Sequence, residues 1–473
     1  MRLNYLLLVV FLLFMSCASS NTNRTVEKKV DIPENWGEEI DFHAFIDSVW
    51  WKGFNDPELD RIIEEAFEQN NTFQIAAFNV RSAASQAIIA GAPLLPQADF
   101  RFNSSRSKNN FIGLPIPGRE GSVLSNTNNS FGVSLNLSWE LDLWGKLRAD
   151  QAAAVAQYQA SQADFYGAQL SLAGQVCKAW FAAIEAKRQM ELSEATFGSM
   201  QLSTEQVRIR YEAGLRGSLD YRLSLANLAG INAVMQTRRS VYENTVRQLE
   251  ILLGRYPANA INVNLELPEM NFDVPAGLPS DLISRRPDLV AAEKTLFVAG
   301  IRIKSAKAAL YPSFSLTGSG GTSSNDLTDL ISGDFHVWSL AGNVLQPVFN
   351  RGRLKAGVEL AKSNAEIAYL QYTQTALTAF SEVENALAGE RYLLERQNSL
   401  ETATEQSIAA RDLAEEQYSS GLVGFITMLE AQRTAFDNES QLLTVKRERL
   451  DTRIDLYLAL GGGFKGINSG NDK

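Results

Sequence analysis

The residue types that most often perform covalent chemistry are scarce in this sequence. It contains two histidines, His43 and His336, and two cysteines, Cys17 and Cys177. The histidines lie about 290 positions apart, and no acid–cysteine–histidine cluster surrounds either of them. Two cysteines in such different surroundings form neither a disulfide framework nor a zinc site. Because no acid–base or metal-ligating group converges on any motif, we expect neither an enzyme nor a bound metal or cofactor.

Cys17 follows a segment typical of protein export. Residues 1–16 begin with the basic Arg2 and continue through an apolar run at 6–14, which is too short for a transmembrane helix. The segment resembles a lipoprotein signal peptide, although the second and third residues before the cysteine depart from the usual motif. We expect cleavage before Cys17 and acylation of its thiol, for example with palmitate; an ordinary signal with an incidental cysteine is the alternative. The absence of an acidic residue at 18–20 implies delivery to the outer membrane.

Composition excludes several classes of protein. Hydrophobic residues make up 45% of the 473 residues and charged residues 21%, so the chain can bury a large core. Its 44 basic and 54 acidic residues give a net charge of -10. This argues against nucleic acid as a partner, because phosphate binding needs a basic surface. No stretch reaches the roughly 18 uncharged apolar residues of a transmembrane helix, so a membrane-spanning part would have to consist of strands.

The sequence contains an internal repeat. Gly145 aligns with Gly352, and the Tyr-x-x-Gly-Leu motif at 211–215 aligns with the one at 418–422, both at an offset of 207 residues. Farther upstream the matching segments are offset by 216 residues, so the difference of nine falls before Gly145. Two copies of one unit therefore fill most of the chain. The two repeats cover residues 58–254 and 280–461.

In the first half of each repeat, one segment has apolar residues alternating with small polar residues. Over residues 130–139 every second residue is apolar: Phe131, Val133, Leu135, Leu137 and Trp139. This period predicts strands with one apolar face, which suit either a soluble sandwich or an outer membrane barrel. We expect hairpins near 97–140 and 312–347, with Gly/Asn/Ser-rich loops at 103–129 and 318–334. Four strands are too few to close a barrel, so a barrel would require oligomerisation.

The remaining segments have the apolar spacing of helices. Shorter helices are expected at 58–92 and 287–309, each ending before a proline. Two helical hairpins are expected at 145–254 and 352–461, each turning at a glycine-containing tip. At 1.5 Å per residue the first arm of each hairpin would be about 100 Å long. An ordinary long coiled coil is the alternative, but attachment to amphipathic strands at one end argues against it.

Several motifs resemble the outer membrane efflux protein family, and most of all its NodT-type lipoprotein branch, relatives of TolC. These motifs are Gly-Leu-Pro-Ser-Asp at 277–281, Arg-Arg-Pro-Asp at 285–288, Ala-Leu-Tyr-Pro-Ser-Phe at 309–314 and Trp50-Trp51. The resemblance extends over about residues 48–461, and the stretch from 277 to 288 is highly specific.

The resemblance implies a mixed α and transmembrane β fold. The mature protomer, residues 17–473, would form a TolC-like homotrimer in which four strands per protomer complete a 12-stranded barrel. A long periplasmic α-helical tube would continue from this barrel. Around the tube would lie a mixed equatorial region, built from residues 17–57, 255–280 and 462–473.

The resemblance also implies a function, the outer membrane channel of a tripartite efflux pump. Such a channel is a passive exit duct for drugs, metals or other toxic solutes, consistent with the absence of a phosphate-binding loop in this sequence. Its expected partners are outer membrane lipid, a periplasmic adaptor and an inner membrane pump of the resistance-nodulation-division type. A protein secretion conduit of a type I exporter and a lipid-anchored structural protein without a lumen are the alternatives.

The two helical tips are the expected adaptor contacts. Gly214-Leu215 and Gly421-Leu422 resemble the tip motifs against which adaptor hairpins pack in this family. Glycine lets another backbone approach closely, and leucine offers an apolar anchor. A glycine that only ends a helix is the alternative interpretation, and both can hold together.

The resemblance further implies a periplasmic gate. Tyr418 matches the family's latch tyrosine and Asp220 its carboxylate partner, although an aspartate at a helix start could instead interact with the helix dipole. A second latch uses an arginine where this chain has Val423. In this family, acidic residues at two positions form rings at the entrance. This chain has Thr427 at the first position and Glu430 at the second, so we expect one acidic ring in place of two.

Overall fold

The computed structural model describes Trp36 and residues 49–111, 123–263, 266–270 and 285–463. The chain divides into two units, residues 1–32 and residues 33–473, and all described residues belong to the second. The predicted signal peptide 1–16, Cys17 and most of the predicted equatorial region lie outside the described residues. So does the Gly-Leu-Pro-Ser-Asp motif at 277–281.

Two helices, not one, occupy the segment predicted as a helix over 58–92. They are α1, Pro57–Gln69, and α2, Asn71–Gly91. The prediction of one continuous helix was wrong because Asn70 interrupts it. The Asn70 side chain accepts a hydrogen bond from the Phe73 backbone nitrogen at 2.9 Å, capping α2, and its amide donates to the distant Leu252 carbonyl at 2.9 Å.

Four antiparallel strands form one sheet in the order β1-β2-β3-β4. The strands are β1, Gln97–Phe111, β2, Leu124–Leu141, β3, Ser313–Ser324, and β4, His336–Leu345. One row across the sheet joins Phe100, Leu135, Gly320 and Trp338, and the adjacent row joins Asp99, Asn136, Ser319 and Ser339. Since neighbouring rows point to opposite faces, the sheet has one apolar and one polar face, as the alternation predicts.

The strands of the first hairpin extend well into the segment predicted as a loop at 103–129. Their ladder continues through the pairs Ser105–Ser130 and Asn109–Asn126. The loop prediction was therefore wrong for most of this segment, as it was for the start of 318–334, where β3 continues to Ser324. Asn and Ser are typical of loops, but the ladder is formed by backbone groups and tolerates polar side chains on both faces.

Five further α-helices lie in the described part of the chain. The first hairpin consists of α3, Lys146–Glu212, and α4, Ser218–Leu252; α5, Pro287–Ala308, follows; the second hairpin consists of α6, Arg353–Ser419, and α7, Phe425–Ala459. The long arms both contain 67 residues and the return arms both contain 35, all at the offset of 207. Gly145 and Gly352 precede the long arms in the left-handed conformation, with φ of 73° and 81°.

Contacts between the helices give two linear orders, α2-α3-α5-α6 and α4-α3-α7-α6. In both orders α3 is internal and α6 is terminal, while α2 and α4 are terminal on the other side. The terminal helices carry large exposed apolar side chains, such as Phe78 of α2 and Leu370 of α6. The described residues therefore leave both ends of the helical layer without a partner.

Candidate functional site

The first helical tip, residues 213–217, is a tight helix ending that exposes an apolar side chain. The backbone nitrogen of Gly214 donates to the Tyr211 carbonyl, and that of Leu215 to the Arg210 carbonyl, both at 2.9 Å. This pair of bonds is a Schellman motif, which needs a left-handed residue after the helix, and Gly214 supplies it with φ of 74°. Leu215 is 74% exposed.

The second tip, residues 420–424, repeats this geometry. Gly421, with φ of 79°, donates to the Tyr418 carbonyl at 3.1 Å, and Leu422 donates to the Gln417 carbonyl at 2.8 Å. Leu422 is 77% exposed. Apart from each glycine itself and its two chain neighbours, no residue has a heavy atom within 4 Å of the position that a Cβ would occupy on Gly214 or Gly421. Both tips thus offer an open backbone beside an exposed leucine, which is what the predicted adaptor contact needs.

Tyr418 is at the centre of a hydrophobic cluster that we call the tip cluster. It is formed by Val207 of α3, Tyr418 of α6, and Phe425 and Met428 of α7, with the Tyr418 and Phe425 ring centroids 5.9 Å apart. Tyr418 is only 1% exposed, yet its hydroxyl has no hydrogen-bond partner among the described residues. A buried hydroxyl without a partner is energetically costly and therefore indicates a site where a partner is expected.

Two arginines of the first hairpin contact Tyr418 from outside the cluster. The guanidinium of Arg210 lies 5.0 Å from the ring centroid of Tyr418 and that of Arg216 lies 5.4 Å from it, both suitable for cation–π contact. Arg210 also donates to the Tyr418 carbonyl at 3.1 Å and to the Ser419 carbonyl at 2.9 Å. Sequence reasoning missed both arginines, although their counterparts in the second repeat, Gln417 and Val423, are not basic.

Asp220 lies in the first turn of α4 and is partly exposed. Within the part of the chain that the structure describes, no hydrogen bond joins it to Tyr418, so the two predicted latch residues are not bonded in the single protomer. Its neighbour Tyr221 packs against the tip cluster, which brings the backbone of Asp220 close to that cluster. The latch stays a prediction.

Thr427 and Glu430 occupy one exposed face of α7. They line a shallow groove of about 460 Å³ together with Ser407 and Ala410 of α6. The Glu430 carboxylate accepts a hydrogen bond from Arg433 at 2.9 Å. The two predicted ring positions are thus adjacent on the surface, and one positive charge lies beside the single carboxylate.

The described residues contain no group of three or more His, Cys, Asp or Glu side chains that could hold a metal ion. Among the helices described, none is long and apolar enough to cross a membrane.

Comparison with models of protein families shows to which family this chain belongs. The model of the family described as outer membrane efflux protein matches residues 62–255 and 278–462, which are most of the chain and both repeats. The chain belongs to the outer membrane efflux protein family. The predicted family is confirmed.

Individual relatives agree with this assignment. The chain is 31% identical over 427 residues to the pyoverdine export outer membrane protein OpmQ of Pseudomonas putida, with 89% of each chain covered. It is 32% identical over 419 residues to the solvent efflux pump outer membrane protein SrpC of the same species, covering 87% of this chain and 86% of the relative. The Campylobacter jejuni CmeC outer membrane channel superposes with a TM-score of 0.86 at 27% identity, with 94% of both chains covered.

The protein described here therefore has the TolC-like channel fold. It is the outer membrane component of an efflux pump, as the sequence predicts. Its relatives are named as channel and export proteins of the outer membrane, which supports a role other than catalysis.

Proposed function

We propose that this protein is the passive exit duct of a tripartite efflux pump and works as a homotrimer. Three protomers would close one 12-stranded barrel in the outer membrane, continued by a periplasmic tube of helices. A periplasmic adaptor would couple the duct to an inner membrane pump of the resistance-nodulation-division type. The relatives named for export of pyoverdine and of solvents support small solutes over proteins as cargo, and drugs, metals or other toxic solutes are the cargo we expect.

The observation that carries this proposal is a four-stranded amphipathic sheet with two free edges. Among the described strands, β1 and β4 each have one edge without a strand partner. Unpaired backbone groups cannot face lipid, and the smallest membrane barrels have eight strands, so the sheet needs strands from other copies. Three copies supply twelve. The large side chains on the apolar face are well exposed in the protomer, as expected for a face that contacts lipid; they include Phe100, Trp338 and Leu340.

The terminal helices give an independent argument for the trimer. None of the residues of α2 is buried, and its exposed side chains include Ile75, Phe78 and Ile88. On α6, at the opposite end of the helical order, Leu360 and Leu370 are exposed in the same way. Apolar surface of this extent is typical of a protein interface, and a ring of copies would cover α2 of one protomer with α6 of the next.

The polar face of the sheet suits a permissive lumen. It carries the row Asp99, Asn136, Ser319 and Ser339, in which the two serine hydroxyls lie 2.9 Å apart. These side chains are small and hydrogen-bond to each other or to water, so they leave space along the axis and select little among solutes. Specificity would then belong to the pump.

The tips would provide both the adaptor contact and the gate. The exposed leucines Leu215 and Leu422, beside open glycine backbone, support packing of an adaptor hairpin. The buried hydroxyl of Tyr418, which lacks a partner in the described part of the chain, supports a latch to the carboxylate of Asp220. Such a charge-assisted bond is strong and still reversible when an adaptor moves the helices.

Lipid anchoring is a separate part of the proposal and rests on residues 1–17. We expect the thiol of Cys17 to be acylated after cleavage of the signal peptide. Labelling of cells with an alkyne analogue of palmitate should mark the wild-type protein. The Cys17→Ala variant should stay unlabelled; label on that variant would contradict the assignment.

The main experiment is the conductance of the purified protein in a planar lipid bilayer. The wild type should insert as a trimer with low conductance, and the double variant Asp220→Ala with Tyr418→Phe should conduct several-fold more. Equal and substantial conductance of both would keep the duct and discard the latch. A correctly inserted trimer that conducts in neither form would refute the duct and favour a structural role.

A further inference from the structure

We propose that Arg210 is the positioning residue of the gate: it joins the two tips of one protomer and holds Tyr418 in place. This inference rests on the proposed duct and its gate, and it adds a residue to them. Arg210 itself contacts neither solute nor adaptor in this proposal.

The contact of Arg210 with the second tip has two parts. Its guanidinium donates to the carbonyls of Tyr418 and Ser419, at 3.1 and 2.9 Å, which belong to the last turn of α6. The last carbonyls of a helix have no partner within the helix and carry its partial negative charge, so a cation there is favourable. The same guanidinium lies over the Tyr418 ring, which fixes the ring as well as the backbone that carries it.

The tip cluster makes this contact a junction of all four helices. Val207 comes from α3 and Tyr418 from α6, Phe425 and Met428 come from α7, and Tyr221 of α4 packs against them. Arg210 and Arg216 cover the Tyr418 ring from the first hairpin. The ring is therefore held on several sides, while its buried hydroxyl has no hydrogen-bond partner among the described residues.

Arg210 and Arg216 are present in only one repeat, so the two tips contribute different groups to the junction. The second-repeat counterparts of Arg210 and Arg216 are Gln417 and Val423, so the first tip supplies the cations and the second tip supplies the carbonyls and the ring. The contact between the tips therefore depends on the single guanidinium of Arg210, which bonds to both carbonyls.

The test compares three single variants of the purified trimer. Arg210→Gln removes the charge and the two-pronged donor, and Arg210→Lys keeps only the charge. Arg208→Gln is the matched control, because its guanidinium bonds to Glu205 and Glu212 of its own helix and to nothing in the second tip. Two measurements are made on each: hydrogen exchange of the backbone amides in the second tip, and bilayer conductance.

In Arg210→Gln, the amides of Gly421 and Leu422 should exchange about tenfold faster or more, since losing a net 1.4 kcal/mol of local stability corresponds to a factor of ten. Its conductance should rise several-fold, because Tyr418 is no longer held for the latch. The exchange rate and the conductance of Arg210→Lys should lie between those of Arg210→Gln and the wild type. Arg208→Gln should match the wild type in both measurements. Tyr418→Phe keeps the ring, so its exchange should stay at the wild-type rate while its conductance rises.

If the amides of Gly421 and Leu422 exchange at the wild-type rate in Arg210→Gln, Arg210 does not join the tips. If they exchange faster but the conductance is unchanged, Arg210 joins the tips but does not act in the gate. The exchange measurement does not depend on transport. A wild type that conducts nothing would therefore refute the proposed duct separately, and the exchange rates alone would then decide whether Arg210 joins the tips.

Discussion

Arg286 donates a hydrogen bond from its Nη1 atom to the carboxylate of Glu382, 2.6 Å away, although 96 residues separate them. The same guanidinium donates to the Ala459 carbonyl at 3.0 Å and to Asp288 at 2.7 Å, and the side chain is only 9% exposed. Arg286 thus connects the start of α5 with α6 and with the end of α7. This gives a structural reason for the Arg-Arg-Pro-Asp motif that indicates the family.

Replacing Arg286 should destabilise the protein. Arg286→Gln leaves a carbonyl and two half-exposed carboxylates without their common donor, and because solvent screens these carboxylates the cost should be about 1–2 kcal/mol. The free energy of unfolding in urea, measured on the detergent-solubilised protein, would test this. The control is Lys362→Gln, whose pair with Glu359 is exposed and should contribute less than about 0.5 kcal/mol. Equal losses of unfolding free energy in Arg286→Gln and Lys362→Gln would contradict the stabilising role of Arg286.

Within the first tip, two glycines should respond differently to alanine. Gly214 has φ of 74°, where a Cβ costs about 1 kcal/mol, whereas Gly217 has φ of -77°, which any residue adopts. Both have open space around the position of a Cβ. Hydrogen exchange of the tip amides should therefore accelerate about fivefold in Gly214→Ala and stay unchanged in Gly217→Ala. A similar response of both variants would mean that the left-handed turn does not hold the tip.

Photo-crosslinking from single positions should separate the adaptor surface from the trimer surface. A photoreactive amino acid at Leu215 or Leu422 should crosslink in cells to a periplasmic protein, the expected adaptor. The same amino acid at Leu360, an exposed leucine of the terminal helix α6, should crosslink to a second copy of this chain. Products that consist only of this chain at all three positions would remove the support for adaptor contact at the tips.

Asp451 should make stability depend on pH. Its burial raises the pKa of the carboxyl from an ordinary 3.8 to about 6, although the neighbouring Arg447 and Lys178 act in the opposite direction. An acid whose pKa is higher in the folded state binds its proton more tightly there. Its stabilising contribution is therefore complete below about pH 4 and is lost as the pH rises through about 6.

The matching experiment compares the wild type with Asp451→Asn across this range of pH. Because asparagine does not titrate, the variant should gain stability relative to the wild type between about pH 4 and pH 7, by on the order of 2 kcal/mol. Asp412→Asn, at an exposed carboxylate, serves as the control. A constant difference between Asp451→Asn and the wild type would show that the pKa of the Asp451 carboxyl is not shifted, and a change of opposite sign would show that it is lowered; either result would contradict the prediction.

The sequence alone determined the features that depend on neighbouring residues along the chain. Alternation around Leu135 predicts an amphipathic strand, because successive side chains of a strand point to opposite faces. The repeat offset of 207 predicts two equal helical hairpins, and α3 and α6 both have 67 residues. The glycines Gly214 and Gly421 predict helix endings, since a left-handed residue is needed there. The family followed from the same local motifs.

The tertiary structure decided the contacts between residues that are far apart in sequence. The break at Asn70 depends on the carbonyl of Leu252, and the junction at Tyr418 depends on Arg210, about 210 residues earlier. Strands continue through polar segments such as Asn109 because a neighbouring strand pairs with their backbone. Local patterns fix the period and the faces of an element, but its partners follow from how all elements pack together, and a sequence pattern does not specify that packing.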